Sequence, residues 1–375
     1  MSRLPQRCSF GLVLGLAMSL GGMGCTPGTA TGGVVKLKDM DGSGDGGNTD
    51  TDGGGSMGDG GIVLVDDMGN PGRHWTDVSF PIVPDGGNLW NAFNDGTGTV
   101  VVAGDYGRVL KSTKHSAFVE DTSLKPAAPA LLTVSGVGPL AAGQPLYVAG
   151  LGGAMWKYSS GNFADATGAW APDSPQTGSN LYSVWVAPDG TAFAVGDAVA
   201  IKRTTAGWAL IAGPVATEAA YALWGTTVGT GYSIYAVGAA GKIWHSTGGD
   251  FTQQTSGTPN ALYGVWGASA TDVYAVGDVG TILHSTGNGV WTTQNAGVNL
   301  TALEGISGAS ASEIYVVGDP DKSGKSVLLH KLVATSDIWF RETPANIADT
   351  RHYFGVTATA TDIYVVGDTG TILHK

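Results

Sequence analysis

The sequence predicts an all-β fold: a seven-bladed β-propeller of four-stranded blades, closed by pairing an N-terminal strand around Trp75 with the C-terminal blade. Three observations carry this. The stretch "DVYAVGDVGTILHS" at Asp272–Ser285 returns as "DIYVVGDTGTILHK" at Asp362–Lys375. Its central Gly occurs seven times, at 104, 150, 196, 238, 277, 318 and 367, with spacings of 46, 46, 42, 39, 41 and 49 residues, the range of propeller blades. The 375 residues hold 61 Gly, 11 Trp and 12 Tyr but only 13% charged residues, a composition that suits short strands and tight turns and is poor in surface-helix formers.

Each unit parses into four strands. In the fifth, "LYGVW", "DVYAVG", "TILHS" and "VWTTQ" follow one another, with "GDVGT" joining the second to the third and "STGNG" the third to the fourth. Asp followed by Gly two residues on suits a hairpin turn in which the Asp caps and the Gly takes positive φ. "VYAVG" and "IYVVG" are apolar on both alternating faces, as expected of radial sheets covered on each side by a neighbouring blade. A β-helix is the main rival, but its repeats are shorter. The seventh unit supplies three strands and stops at Lys375, while "HWTDV" near Trp75 resembles the fourth strand "VWTTQ" of the fifth unit. Pairing the two would close the ring without a loose edge.

Ahead of the repeats, residues 1–24 read as a lipoprotein-type signal peptide: Arg3 and Arg7, then the apolar run Phe10–Leu20, then "GGMGC". Ending this signal on Cys25 resembles a bacterial lipoprotein lipobox, in which the Cys is lipidated: Gly24 matches the small residue expected before it, whereas Gly22 departs from the Leu usual three residues before it. Residues 25–70 read as a Gly/Asp-rich disordered tether, and 71–375 as the propeller. Cys8 and Cys25 are the only cysteines, so the exported domain is expected to hold without a disulfide. Asp39, Asp41, Ser43 and Asp45 alternate like the start of a calcium loop, but Asp50 stands where a closing Glu would be needed. A solvated acidic linker, with no calcium requirement for folding, is the expectation.

The repeats resemble BNR-like propellers, the broad group that includes photosystem II stability and assembly factors and, more distantly, the Asp-box propellers of sialidases. The resemblance covers Trp75–Lys375 and rests on "LYGVWG…VYAVGDVGTILHSTGNGVW". "STGNGVW" is similar to a degraded Asp-box, with Gly287 where that motif has Asp. A copy behind an Asp/Gly linker resembles bacterial surface lipoproteins. The resemblance is specific for fold and weak for function; an assembly-factor role is what its photosystem members imply.

Chemistry is sparse. The net charge is −12 overall; beyond residue 67 there are 15 basic and 23 acidic residues, a net of −8. An acidic domain without a basic stripe is a poor nucleic-acid binder. His245, His284, His330 and His374 share one repeat position, on the third strand of successive blades. They lie too far from the axis to converge on one ion, so neither a metal nor another cofactor is expected. A sialidase would need an Arg cluster, but Arg73, Arg108, Arg203, Arg341 and Arg351 fall at different repeat positions. No GxSxG, HExxH or P-loop is present.

One candidate face remains, built from the starts of the first strands and the turns between second and third strands. It would carry Trp90, Tyr182, Tyr221, Tyr263 and Phe354, with Leu132 and Glu304 completing the set of seven, beside Asp105, Asp197, Asp278, Asp319 and Asp368. Aromatics beside carboxylates suit a sugar or a basic peptide; alternatively the aromatics wedge between blades and the acids cap turns. The sequence therefore reads as a monomeric, non-enzymatic surface-tethered binding or scaffold propeller for a protein or glycan, exported to the bacterial cell envelope (outer membrane or cell surface) through a lipid on Cys25. A glycan hydrolase or lyase acting at the central face, or an envelope assembly factor, are the alternatives.

Overall fold

The computed structural model describes Val63–Val65 and residues 74–375, apart from 82–85, 126–127, 141–143, 160–167, 176, 297–300, 333–337 and 345–349. Among the described residues, seven four-stranded antiparallel blades follow one another along the chain. Blades 1 to 6 begin with first strands Leu89–Asn94, Leu131–Gly136, Leu181–Val186, Ala220–Val228, Leu262–Ser269 and Leu303–Ser310. Blade 7 begins at Tyr353–Ala358, continues through Ile363–Gly367 and Ile372–His374, and takes its outer strand, Thr76–Asp77, from the other end of the domain. Each first strand packs against the first strand of the next blade, and that of blade 7 against that of blade 1. The ring is closed.

The cores lie between blades. Seven apolar clusters are each shared by two neighbouring blades, including one that joins Leu89, Val100, Val102 and Leu110 of blade 1 to Tyr364, Val366 and Ile372 of blade 7. That is why the second strands are apolar on both faces: Thr99–Gly104, Leu146–Gly150 and Ile363–Gly367 are buried at every residue.

The repeated Gly has a steric cause. Its φ in blades 1, 5 and 7 is extended, which any residue could adopt. A Cβ there, however, would come within 1.8–2.6 Å of the carbonyl oxygen just before the first strand of the same blade, at Asn88, Ala130, Asn180, Ala219, Ala261, Ala302 or His352. The close approach lets the next N–H, that of Asp105, Leu151, Asp197, Ala239, Asp278, Asp319 or Asp368, donate to that oxygen at 2.9–3.1 Å.

The closing strand is in register. Thr76 and Asp77 pair with His374 and Leu373. The ladder continues as Val78 N–H to the Ile372 carbonyl at 2.9 Å and Phe80 N–H to Gly370 at 3.0 Å. Trp75 is 6% exposed. It packs edge-on to Tyr315 of blade 6, ring centroids 6.2 Å apart and planes at 85°. The same edge-on contact, from the outer-strand aromatic of one blade to the second-strand Tyr of the blade before, is made by Trp208 on Tyr147, Trp291 on Tyr235, Trp339 on Tyr274 and Phe118 on Tyr364. Trp75 thus occupies the seam between blades 6 and 7, one blade further than a contact with blade 7 alone.

One strand departs from the sequence expectation. Val63–Val65, inside the segment read as tether, pairs in parallel with Phe340–Glu342 on the outer edge of blade 6. The short apolar run "IVLV" was its only signal amid Gly and Asp.

Candidate functional site

Every first strand carries a β-bulge near its start, where the pairing register skips one residue: between Leu89 and Asn91, Leu131 and Thr133, Leu181 and Ser183, Ala220 and Ala222, Leu262 and Gly264, Leu303 and Gly305, and Tyr353 and Gly355. The skipped residues are Trp90, Leu132, Tyr182, Tyr221, Tyr263, Glu304 and Phe354, the seven singled out in the sequence. A bulge re-aims the side chain it displaces. Because the first strands circle the axis, the bulges bring these residues together around it.

Trp90 and Phe354 lie with ring centroids 4.6 Å apart, Tyr182 and Tyr221 5.6 Å apart, and Tyr221 and Tyr263 5.6 Å apart. Trp90, Leu132 and Tyr182 form one buried cluster, against which Tyr221 and Phe354 pack half-buried. Tyr263 and Glu304 are also half-buried. Trp90 and Tyr182 therefore build the rim, while Tyr221, Tyr263 and Phe354 retain accessible surface.

The five turn acids lie on the same face, all half-buried. Their carboxylates do more than cap turns. Asp105 accepts from the Trp90 indole N–H at 2.7 Å and from the Asn88 N–H at 2.9 Å. Asp197 accepts from the Tyr182 hydroxyl and the Asn180 side-chain amide, both at 2.9 Å, and Asp278 accepts from the Tyr263 hydroxyl at 3.0 Å. Asp319 is hydrogen-bonded to His352 Nδ1 of the next blade at 2.9 Å. Asp368 alone keeps a turn contact, a long one of 3.5 Å from the Thr371 hydroxyl. Burial, reinforced by the neighbouring Asp197 or Asp278, pushes the Tyr182 and Tyr263 phenols well above their usual range. Both hydroxyls donate to these carboxylates.

Between the acids stand turn tips in the left-handed region: Tyr106, Ala198, Ala240, Val279 and Thr369, with φ between 47° and 60°. Tyr106 and Val279 are large, exposed and apolar. The face is acidic and aromatic at once.

The four repeat histidines stay on their own blades. Each lies against the second-strand Tyr directly opposite it: His284 on Tyr274, His330 on Tyr315 and His374 on Tyr364 stacked, and His245 tilted on Tyr235, with centroids 4.1–4.6 Å apart. The described arginines are dispersed too: Arg108 pairs with Glu120, Arg203 with Asp173, Arg341 with Asp321 and Arg351 with Asp77. A cleft of about 380 Å³ lies away from the axis, between the outer strands of blades 1 and 2, lined by Lys111, Glu120, Asp121, Tyr158 and Trp170 among others. The sequence reading missed one cluster. His115, on the turn between third and fourth strands of blade 1, meets Asp362 and His374 of blade 7. A single His in a non-repeated turn gave no signal, because only the closed ring brings blade 1 beside blade 7.

These features define a seven-bladed β-propeller with an aromatic central face. No family model and no curated protein matches the chain. Among solved structures it is similar to YCF48 bound to D1 peptide, with 12% identity over 84% of this chain and 98% of that one and a TM-score of 0.63. It is also similar to virginiamycin B lyase from Staphylococcus aureus, with 11% identity over 80% and 99% and a TM-score of 0.64. A third likeness is the WD40 β-propeller domain of Doa1, at 10% identity over 80% and 97% and a TM-score of 0.59. At such identities the likeness is one of fold.

Proposed function

We propose that the chain is a non-enzymatic binding propeller, held at a bacterial envelope surface by a lipid on Cys25, and that its partner is a basic, aromatic-containing segment of a protein. The observation that supports this most is the seven-fold bulge, which gathers Tyr221, Tyr263 and Phe354 around the axis within a frame of turn acids. Half-exposed rings offer stacking area at low entropic cost. The acidic balance of the domain favours a cationic partner over an anionic one. The peptide-bound YCF48 structure is an instance of this fold taking a peptide. Against catalysis, four of the five acids already hold a donor from their own or the next blade, and the rim phenols are poor nucleophiles. The same acids would accept from incoming Lys or Arg without rearranging the rim.

Display of a random peptide library against the purified chain tests this. Enriched sequences should combine Lys or Arg with an aromatic residue and bind more weakly as salt rises, since exposed charges are screened over about 10 Å at 0.1 M. Tyr221→Ala with Phe354→Ala should abolish the enrichment. Enrichment of acidic peptides, binding that survives the double variant, or retention of glycans alone would overturn the reading.

A further inference from the structure

On the face opposite the aromatic rim, where second strands begin and third strands end, three side chains from two blades converge. Asp362 precedes the second strand of blade 7, and His374 ends that blade's third strand. His115 comes from blade 1, across the seam that closes the ring. His115 Nδ1 lies 3.2 Å and His374 Nε2 3.1 Å from the same oxygen, Asp362 Oδ1. All three ligand atoms fall within 4.8 Å of one another.

Two imidazoles and a carboxylate are a donor set of the kind zinc takes when it keeps a fourth position open. With metal–ligand distances of about 2.0–2.1 Å, a tetrahedral site separates its ligand atoms by about 3.3 Å. The two distances to Asp362 Oδ1 are already close to that. The His115–His374 separation is at most 4.8 Å, and the exposure of the His115 side chain, 49%, leaves it room to adjust. Asp362 is held the other way. It is 6% exposed, and its second oxygen accepts the Thr361 hydroxyl at 2.6 Å. Ligand carboxylates are commonly oriented by such an outer partner.

The surroundings are shaped for the three groups. Lys114 and His115 both sit in the left-handed region, at φ 51° and 56°, which is uncommon for residues other than Gly and throws the imidazole across the seam. Gly98 makes room for it: a Cβ there would stand 3.2 Å from His115 Nε2. The two imidazoles stack with centroids 5.7 Å apart, and His374 is backed by Tyr364. Blade 5 holds the same His–Asp pair, His284 and Asp272 at 2.7 Å, so what distinguishes the seam is the third donor from blade 1.

We propose that His115, Asp362 and His374 bind a divalent transition-metal ion of the zinc class, which staples blade 7 to blade 1 beside the closing strand. Imidazole and carboxylate ligands must be deprotonated to hold a metal, so binding weakens as pH falls. The open fourth position takes water.

Titration of the chelator-treated chain, purified without a histidine tag, with zinc and with cobalt tests the site. One equivalent should bind through His115, with the absorption bands of tetrahedral cobalt, and the melting temperature should rise with zinc concentration by mass action. His115→Ala changes an exposed turn residue and should fold normally. It should weaken that equivalent roughly tenfold or more, the scale set by loss of even an outer-shell partner, and abolish the cobalt bands and the thermal shift. Asp362→Asn should do the same, whereas His284→Ala should leave zinc binding unchanged. Cys8 and Cys25 are common to all these proteins, so metal held there does not respond to His115. Zinc binding and thermal shift unaltered in His115→Ala, or no binding at all, would overturn the proposal.

Discussion

The indole N–H of Trp75 donates to the carboxylate of Glu342 on the outer strand of the preceding blade. Trp291 donates to Gln254 at 2.9 Å and Trp339 to Gln294 at 3.1 Å in the corresponding places. A segment from one end of the domain therefore repeats, atom for atom, the contact that in-line outer strands make elsewhere. Glu342 goes further than its Gln counterparts. It is buried, lies 2.7 Å from His330 Nδ1, and accepts from Lys375 Nζ at 2.9 and 3.0 Å. One carboxylate ties blade 6 to the closing strand and to the last strand of blade 7.

Trp75→Ala is accordingly expected to cost about 3–5 kcal/mol, the range for truncating a large buried aromatic. Trp75→Phe keeps the edge-on contact with Tyr315 and loses the indole donor, so it should cost less. Urea unfolding of both variants checks the order; a neutral Trp75→Ala would contradict the seam contact.

The Glu342 carboxyl sits below its usual range. Burial pushes it up, but the hydrogen bond from His330 and the charge of Lys375 outweigh that. A folded-state pKa below the unfolded one adds stability that is present above the unfolded value and lost as pH falls through the folded one. Glu342→Gln should therefore flatten the acid limb of stability, and the gap between variant and wild type should narrow as pH falls from 7 to about 3. Denaturant midpoints across that range measure it. Parallel curves would mean that Glu342 is not held ionised by these partners.

At the repeated Gly, Gly277→Ala forces a Cβ to within 2.0 Å of the Ala261 carbonyl. Overpacking of this kind costs about 1–3 kcal/mol or more. Gly249→Ala meets nothing within 4 Å and should be neutral. Equal melting of the two would show that the Gly is not demanded by the close approach.

How much of this could be read from the sequence differs by feature. The second strands were legible because burial on both faces writes apolar residues at every position, as in "IYVVG". The bulge positions were legible as a column, since Trp90, Tyr182, Tyr221, Tyr263 and Phe354 recur at one repeat offset. The hydrogen bonds from Trp90 to Asp105, Tyr182 to Asp197 and Tyr263 to Asp278 were not, because a turn Asp reads as a cap whatever its carboxylate reaches. Val63–Val65 was hidden because three residues give too short a period to count against the Gly/Asp composition around them. His115 was invisible for a topological reason: its partners lie at the opposite end of the domain and meet it only when the ring shuts.

The anchor proposed at Cys25 lies outside the described residues. Cys25→Ser should move the chain from the membrane fraction to the soluble one. A wild-type chain that fractionates as soluble would remove the tether from the account.

Ring closure by the segment at Trp75 is the central claim, and thermal melting of two truncations tests it most directly. A chain beginning at residue 61 keeps Val63–Val65 and the closing strand, and should melt as the full chain does. One beginning at residue 81 loses Trp75, the pairs Thr76–His374 and Asp77–Leu373 and the Val78 and Phe80 bonds. It leaves Ile372–His374 as an open edge, which should lower the melting temperature sharply and cause aggregation. Equal melting temperatures for the two chains would contradict closure by this strand.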